Sequence, residues 1–154
     1  MSLNVGDAAP DFDMPADEGR VSLAGLKGKT VVLYFYPKDD TTGCTNEALG
    51  FTAAADDFAK ANAVVVGVSK DTAAKHAKFR AKYDLKPLLG SDADGDVVER
   101  YGAWVEKSLY GRKYMGIDRS TFLIDGQGVV QRIWRKVKVP GHVAAVLQAA
   151  QEIA

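Results

Sequence analysis

Apolar positions along this chain fall into short continuous runs and one longer helical spacing. Thr30 to Tyr36 reads Thr-Val-Val-Leu-Tyr-Phe-Tyr. It is apolar at successive positions and rich in β-branched and aromatic residues, which predicts a central strand buried on both faces. Pro37 ends it. Ala63 to Ser69 repeats the pattern and predicts a second buried strand. Between them, from Thr45 onward, Ala48, Phe51, Ala55 and Phe58 recur at helical spacing. Gly50 inside that helix costs about 1 kcal/mol relative to alanine and predicts a bend or a weak first turn. Ser69 or Asp71 is placed to cap a further helix running to about Tyr83.

Shorter signals fill the rest. Leu88 and Leu89 form a brief apolar segment, and Asp94 to Tyr101 a short helix. Ser120 to Asp125 and Val129 to Trp134 are predicted strands joined by an Asp-Gly-Gln-Gly hairpin turn. Pro140 is suited to open a last helix. At the front, Val5 to Pro15 predicts an extended arm, and Gly19 with the alternation Val21, Leu23 a short hairpin or edge strand beside it. This order predicts one α/β domain over residues 1–154. It has a thioredoxin-like fold, with a mixed central sheet flanked by helices and an N-terminal extension.

Composition narrows the function. The 20 basic and 20 acidic side chains cancel, leaving no whole-molecule field to attract nucleic acid or an anionic membrane. With 47% hydrophobic and 26% charged residues the chain reads as soluble and globular, and no apolar run is long enough to span a bilayer. Asp7 and Asp11 interrupt what a secretion signal would keep apolar, so the cytoplasm is the expected location. The single cysteine, Cys44, cannot form an internal disulfide, so it is either a small buried hydrophobe or a reactive thiol.

The segment Pro37-Lys38-Asp39-Asp40-Thr41-Thr42-Gly43-Cys44-Thr45-Asn46-Glu47 carries the chemistry. It follows a central strand and opens a helix, which places Cys44 in or just before the first helical turn. Unpaired backbone N–H groups and the helix dipole favour a thiolate there. Thr41 and Thr42 can cap the helix or turn a hydroxyl toward whatever Cys44 meets.

The same residues resemble the peroxiredoxin signature Pro-x-x-x-Thr-x-x-Cys, and Tyr36 to Ala48 is similar to its bacterioferritin-comigratory-protein (PrxQ-like) branch. Val5 to Phe12 is similar to that family's N-terminal arm. Trp104 to Asp125, with Lys107, Tyr110-Gly111 and Asp118-Arg119-Ser120-Thr121-Phe122, is similar to its later segment. The resemblance implies a thiol-dependent peroxidase acting on hydrogen peroxide and organic hydroperoxides, with no cofactor. It makes Cys44 the nucleophile, gives Thr41 a hydrogen bond to peroxide, has Pro37 shield the sulfur, and sets Arg119 beside the thiolate. Gly43 supplies backbone N–H groups nearby, Glu47 orients an arginine, and Trp104 packs at the edge of the site. Leu49 stands where many relatives place a resolving cysteine, and Thr42 where proline is usual. The resemblance is therefore to a one-cysteine peroxidase whose sulfenic acid is reduced by an outside thiol: thioredoxin, glutaredoxin or glutathione. The sequence is silent on oligomeric state; relatives of this branch are often monomers though some dimerise, which implies a monomer or weak dimer.

Magnitudes show what the site must add. Lowering a thiol pKa from about 8.5 to about 6 raises its thiolate fraction at pH 7 roughly thirtyfold. Nucleophilicity falls at the same time; with the coefficient of about 0.4–0.5 known for disulfide exchange applied to peroxide, the net gain is only about two- to threefold. Groups that act on the O–O bond must supply the rest.

Two other functions compete. A cysteine hydrolase would need a histidine base, and only His76 and His142 are available. Neither has an acidic partner at a telling spacing, and both read as surface or satisfied histidines. A thioredoxin-fold binding module would keep Cys44 structural. Asp92 to Asp96 glances at a calcium loop, but its glycine is misplaced and Ala103 stands where a bidentate glutamate is needed, so it reads as a turn. Gly126-Gln127-Gly128 leads into a strand rather than a helix and is no phosphate cradle. No metal site is expected, since no pair of histidines or cysteines offers one.

Overall fold

A five-stranded sheet forms the centre of residues 3–154, the part of the chain described by the computed structural model. Its strands are β3 (Thr30–Phe35), β4 (Ala63–Ser69), β5 (Leu88–Ser91), β8 (Ser120–Ile124) and β9 (Val130–Trp134). They lie in the order β5-β4-β3-β8-β9. The first three run parallel, and β8 and β9 are antiparallel to their neighbours. All six residues of β3 are buried, as its unbroken apolar run predicts. Val31, Leu33 and Phe35 enter the cluster on one face, and Val32, Tyr34 and Tyr36 the cluster on the other. Burial of each such side chain contributes about 1.5–3 kcal/mol.

Helices α1 (Thr42–Ala53), α2 (Ala55–Lys60), α3 (Ala73–Tyr83) and α5 (His142–Glu152) cover the second face through Ala48, Phe58, Phe79 and Val146. The first face is covered by α4 (Val97–Arg100) and the N-terminal arm, whose Phe12, Met14 and Val21 join that cluster. The arm starts beside β9, where Ala8 bridges Val129. It passes through a hairpin of β1 (Asp13–Pro15) and β2 (Arg20–Ser22), and Ala16, directly after β1, bridges Gly90 of β5. This is the thioredoxin-like arrangement with an N-terminal extension. Among the described residues no helix is long and apolar enough to cross a membrane.

The structure departs from the sequence expectations in several places. Gly50 marks neither a bend nor a weak turn, because α1 runs through it. A Cβ there would lie 2.9 Å from Val143 Cγ2, so the glycine lets α1 and α5 approach closely. The chain turns at Ala54 instead. Neither Ser69 nor Asp71 caps α3. Thr72 does, accepting from Lys75 N at 3.2 Å, while Ser69 and Asp71 bond each other. Helix α5 starts at His142, two residues beyond Pro140, and α4 is only four residues long. Asp92 receives the Val97 and Val98 N–H groups at the start of α4.

A hairpin also appears that the hydrophobic pattern does not predict, made of β6 (Trp104–Leu109) and β7 (Arg112–Ile117). Its turn residues Tyr110 and Gly111 both have positive φ, +52° and +76°, as a two-residue hairpin turn requires. Most of its side chains face outward, so no buried alternation marks it.

Candidate active site

The loop from Pro37 to Thr41 leaves the carboxyl end of β3 and enters α1, the edge of an open α/β sheet where ligands bind. Thr41 is the cap residue, with extended backbone at φ −93°, ψ 157°, and Cys44 is the third residue of the helix. The N–H groups of Thr42, Gly43 and Cys44 precede the first intrahelical bond, which Thr45 N makes to Thr41 O at 2.8 Å. Cys44 itself is only 1% exposed.

Arg119 comes from the neighbouring strand. Because β8 pairs antiparallel with β3 and Phe35 lies opposite Ser120, the residue before β8 falls beside the loop that follows β3. Val137 N holds the Arg119 carbonyl at 2.9 Å. The guanidinium then reaches both ways: Nη2 donates to Cys44 Sγ at 3.2 Å, and Nη1 donates to Glu47 Oε1 at 2.6 Å. Cys44 and Glu47 are one helical turn apart on the same face, so a single fork serves both. Gly43 makes room for it, because a Cβ there would lie 3.1 Å from Nη2.

Burial sets the charges here. It pushes the Glu47 carboxyl up to about 7, with Arg119 pulling the other way. Glu47 is fully buried, and its Oε2 has no hydrogen-bond partner, nor has the buried Tyr34 hydroxyl. A carboxylate with one unsatisfied oxygen is costly to keep charged. Burial also opposes the charge on Arg119, but Glu47 and Cys44 outweigh it and raise its pKa. One cation thus lies between two acidic groups.

The Thr41 hydroxyl does not cap α1. It donates to Lys38 O at 2.9 Å, which leaves its lone pairs free to accept from an incoming O–H. Pro37 is exposed at the head of the loop. Trp104 is not brought to the sulfur. It packs against the cluster on the opposite face of the sheet, with Lys70 Nζ 5.5 Å above its ring.

Neither histidine is a surface group, and neither is bonded to Cys44. His76 is fully buried between Asp39 and the Gly90 carbonyl, an acidic partner that no local spacing reveals. His142 Nε2 lies 2.8 Å from Thr121 Oγ1, and burial followed by the Arg119 charge lowers its pKa to about 4. The base that a cysteine hydrolase needs is not in place. Among the described residues no cluster of His, Cys, Asp or Glu could hold a metal ion.

Residues 5–133 match the AhpC/TSA family. The chain belongs to it. Two relatives show its branch. The bcp protein of Coxiella burnetii is 54% identical over 148 residues, 96% of this chain and 98% of that one. Peroxiredoxin Bcp of Bacillus subtilis is 46% identical over 154 residues, covering 99% and 98%. Among solved structures, the bacterioferritin comigratory protein of Xanthomonas campestris superposes with a TM-score of 0.90 at 40% identity, covering 98% of this chain and 97% of that one. This Bcp/PrxQ-type peroxiredoxin is therefore a thiol-dependent peroxidase, an oxidoreductase that takes a hydroperoxide as substrate and its electrons from a thiol.

Proposed function

We propose that residues 1–154 act as one domain in which Cys44 is the sole redox centre, oxidised by peroxide and reduced by a thiol from another molecule. The Cys44 thiolate attacks one peroxide oxygen and the O–O bond breaks. The departing oxygen takes a proton and leaves as water or alcohol, and Cys44 is left as a sulfenic acid. An outside thiol displaces water from that sulfenic acid to give a mixed disulfide, and a second thiol releases Cys44. Thioredoxin, glutaredoxin with glutathione, or glutathione itself fits this role.

The observation that carries the reading is the 3.2 Å contact from Arg119 Nη2 to Cys44 Sγ in the first turn of α1. A fixed cation there can stabilise charge on the departing oxygen. Glu47 holds the fork in place. Thr41 Oγ1 accepts the peroxide O–H, the free N–H groups at Gly43 and Cys44 donate to its oxygens, and Pro37 limits water at the sulfur. Organic hydroperoxides belong to the substrate range, a reading supported by the Xanthomonas campestris relative, which was studied for alkyl peroxide reduction. The protein works in the cytoplasm as a monomer or weak dimer.

Cys44→Ser tests the assignment. The change is nearly isosteric and removes no disulfide, so circular dichroism stays the same while peroxide consumption stops. Retained turnover in the folded variant would overturn it.

A further inference from the structure

On the other side of the loop from Arg119 lies a second buried polar cluster, which the chemistry above does not use. His76, in the first turn of α3, is fully buried. Its Nε2 is 2.9 Å from the Gly90 carbonyl oxygen, which can only accept, so that nitrogen carries a proton. Its Nδ1 is 2.7 Å from Asp39 Oδ2. The other Asp39 oxygen accepts from the Tyr36 hydroxyl at 2.6 Å, and Asp39 N donates to Asp71 Oδ2 at 2.8 Å. The next residue, Asp40, has φ +60°, and its carboxylate takes Lys82 Nζ and the Tyr83 hydroxyl, both at 2.8 Å. Helix α3 therefore grips two consecutive loop residues, and Thr41 follows them directly.

We propose that the buried His76–Asp39 pair positions the peroxide-binding loop: it fixes residues 38–41, and with them Thr41, relative to Cys44. It acts on the rate of Cys44 oxidation and leaves the formation of the thiolate to Arg119 and the helix start. The inference rests on Cys44 being the peroxide nucleophile. Three features support a holding role. Asp40 adopts the left-handed backbone that aspartate tolerates, which turns its carboxylate to Lys82 and Tyr83 of α3. The contacts on Asp39 and Asp40 come from α3 or from side chains beside it. Reaction rates are also steep in geometry: a misplacement of about 1 Å can cost on the order of a hundredfold.

Protonation follows from the partners. The groups facing the His76 ring are Asp39 from the loop, Tyr36 beyond β3 at 3.5 Å, the Gly90 carbonyl of β5, and Asp71 ahead of α3. Burial opposes a charge on the ring. The bond and charge of Asp39, the Gly90 carbonyl and Asp71 outweigh it, and the pKa is raised. With both nitrogens protonated, Nδ1 donates to Asp39 while Nε2 donates to the Gly90 carbonyl.

The test compares wild type, Asp39→Asn and His76→Asn by rapid mixing with hydrogen peroxide across pH. The thiolate of Cys44 is titrated separately, and folding is checked by circular dichroism. Both variants should react about tenfold or more slowly at neutral pH. Their thiolate titration should match wild type, so that the loss is one of rate at equal thiolate. Asp39→Asn is the milder change and serves if His76→Asn does not fold; Tyr36→Phe, which removes only the hydroxyl bonded to Asp39, serves if neither does and should slow the reaction in the same way. An unchanged rate in a folded variant, or a thiolate titration that moves with the rate, would overturn the proposal. A wild type whose Cys44 does not react with peroxide at all would instead overturn the reading of the site.

Discussion

His76 and His142 open two helices, α3 and α5, on the same face of the central sheet, and both are buried. Burial works against a charge on each, yet their pKa values move in opposite directions. His76 meets the Asp39 carboxylate at 2.7 Å and a carbonyl on its other nitrogen, and is raised. His142 meets the Thr121 hydroxyl, feels the nearby Arg119 cation, and falls to about 4. The partner decides the sign, and depth alone does not. The same division runs through the active site. The Arg119 side is organised around a fixed cation that two acidic groups share. The His76 side is organised around carboxylates that hold a loop.

Replacing the cation should have the largest effect. Arg119→Leu removes a charge beside Cys44 and a donor to the departing oxygen. The rate with peroxide should fall about a hundred- to a thousandfold. The pKa of His142 should rise as well, because Arg119 helps to depress it. Arg119→Lys should recover only a small part of the rate, since a point charge lacks the fork that reaches Sγ and Glu47 together. Stopped-flow kinetics checks both variants, and full recovery of the rate by lysine would contradict the geometric half of the account.

A smaller effect is expected on the loop side. Thr41→Val keeps the β-branched shape and removes a hydroxyl that caps nothing. Loss of one hydrogen bond to peroxide, about 1–1.5 kcal/mol, should slow the reaction roughly tenfold with little change in thermal stability. Thr41→Ser should retain the rate. If valine reacted as fast as threonine, the hydroxyl would have no part in binding peroxide.

The smallest effect concerns stability. The folded pKa of His142, about 4, lies below its unfolded value of about 6.5. Between the two the unfolded chain binds more protons, so this contribution to stability is complete above about pH 6.5 and is lost as pH falls toward 4. Glu47 contributes the opposite slope, because its folded value of about 7 is raised. A difference measurement isolates His142: denaturant unfolding of His142→Gln minus wild type should change over pH 6.5 to 4 and be flat above it. A flat difference throughout would mean that His142 charges as readily folded as unfolded.

The sequence shows these regions unequally. The buried strands β3 and β4 and the start of α1 are local patterns of apolar spacing, so they can be read directly, and Cys44 with them. Arg119 lies 75 residues from Cys44, and only the family resemblance points to it. Its meeting with the thiol depends on the pairing of Phe35 with Ser120, a sheet register that no local pattern records. His76 and Asp39 are 37 residues apart and come together only when α3 packs beside the loop. For Gly50, the helical pattern alone suggests a local weakness, whereas its physical reason is the Val143 side chain of another helix. The β6–β7 hairpin escapes for a different reason: its outward side chains leave no alternation, and Tyr-Gly is a less familiar turn pair than Asn-Gly.

The central claim is that one thiol carries the whole oxidation. Intact-mass analysis of wild type after one equivalent of hydrogen peroxide, with and without a sulfenic-acid trap, tests it most directly. The account predicts a gain of one oxygen atom at Cys44, replaced by a single trap adduct when the reagent is present. Added outside thiol should convert it to a mixed disulfide. A protein that leaves peroxide unconsumed and its mass unchanged, or one oxidised at a residue other than Cys44, would contradict it.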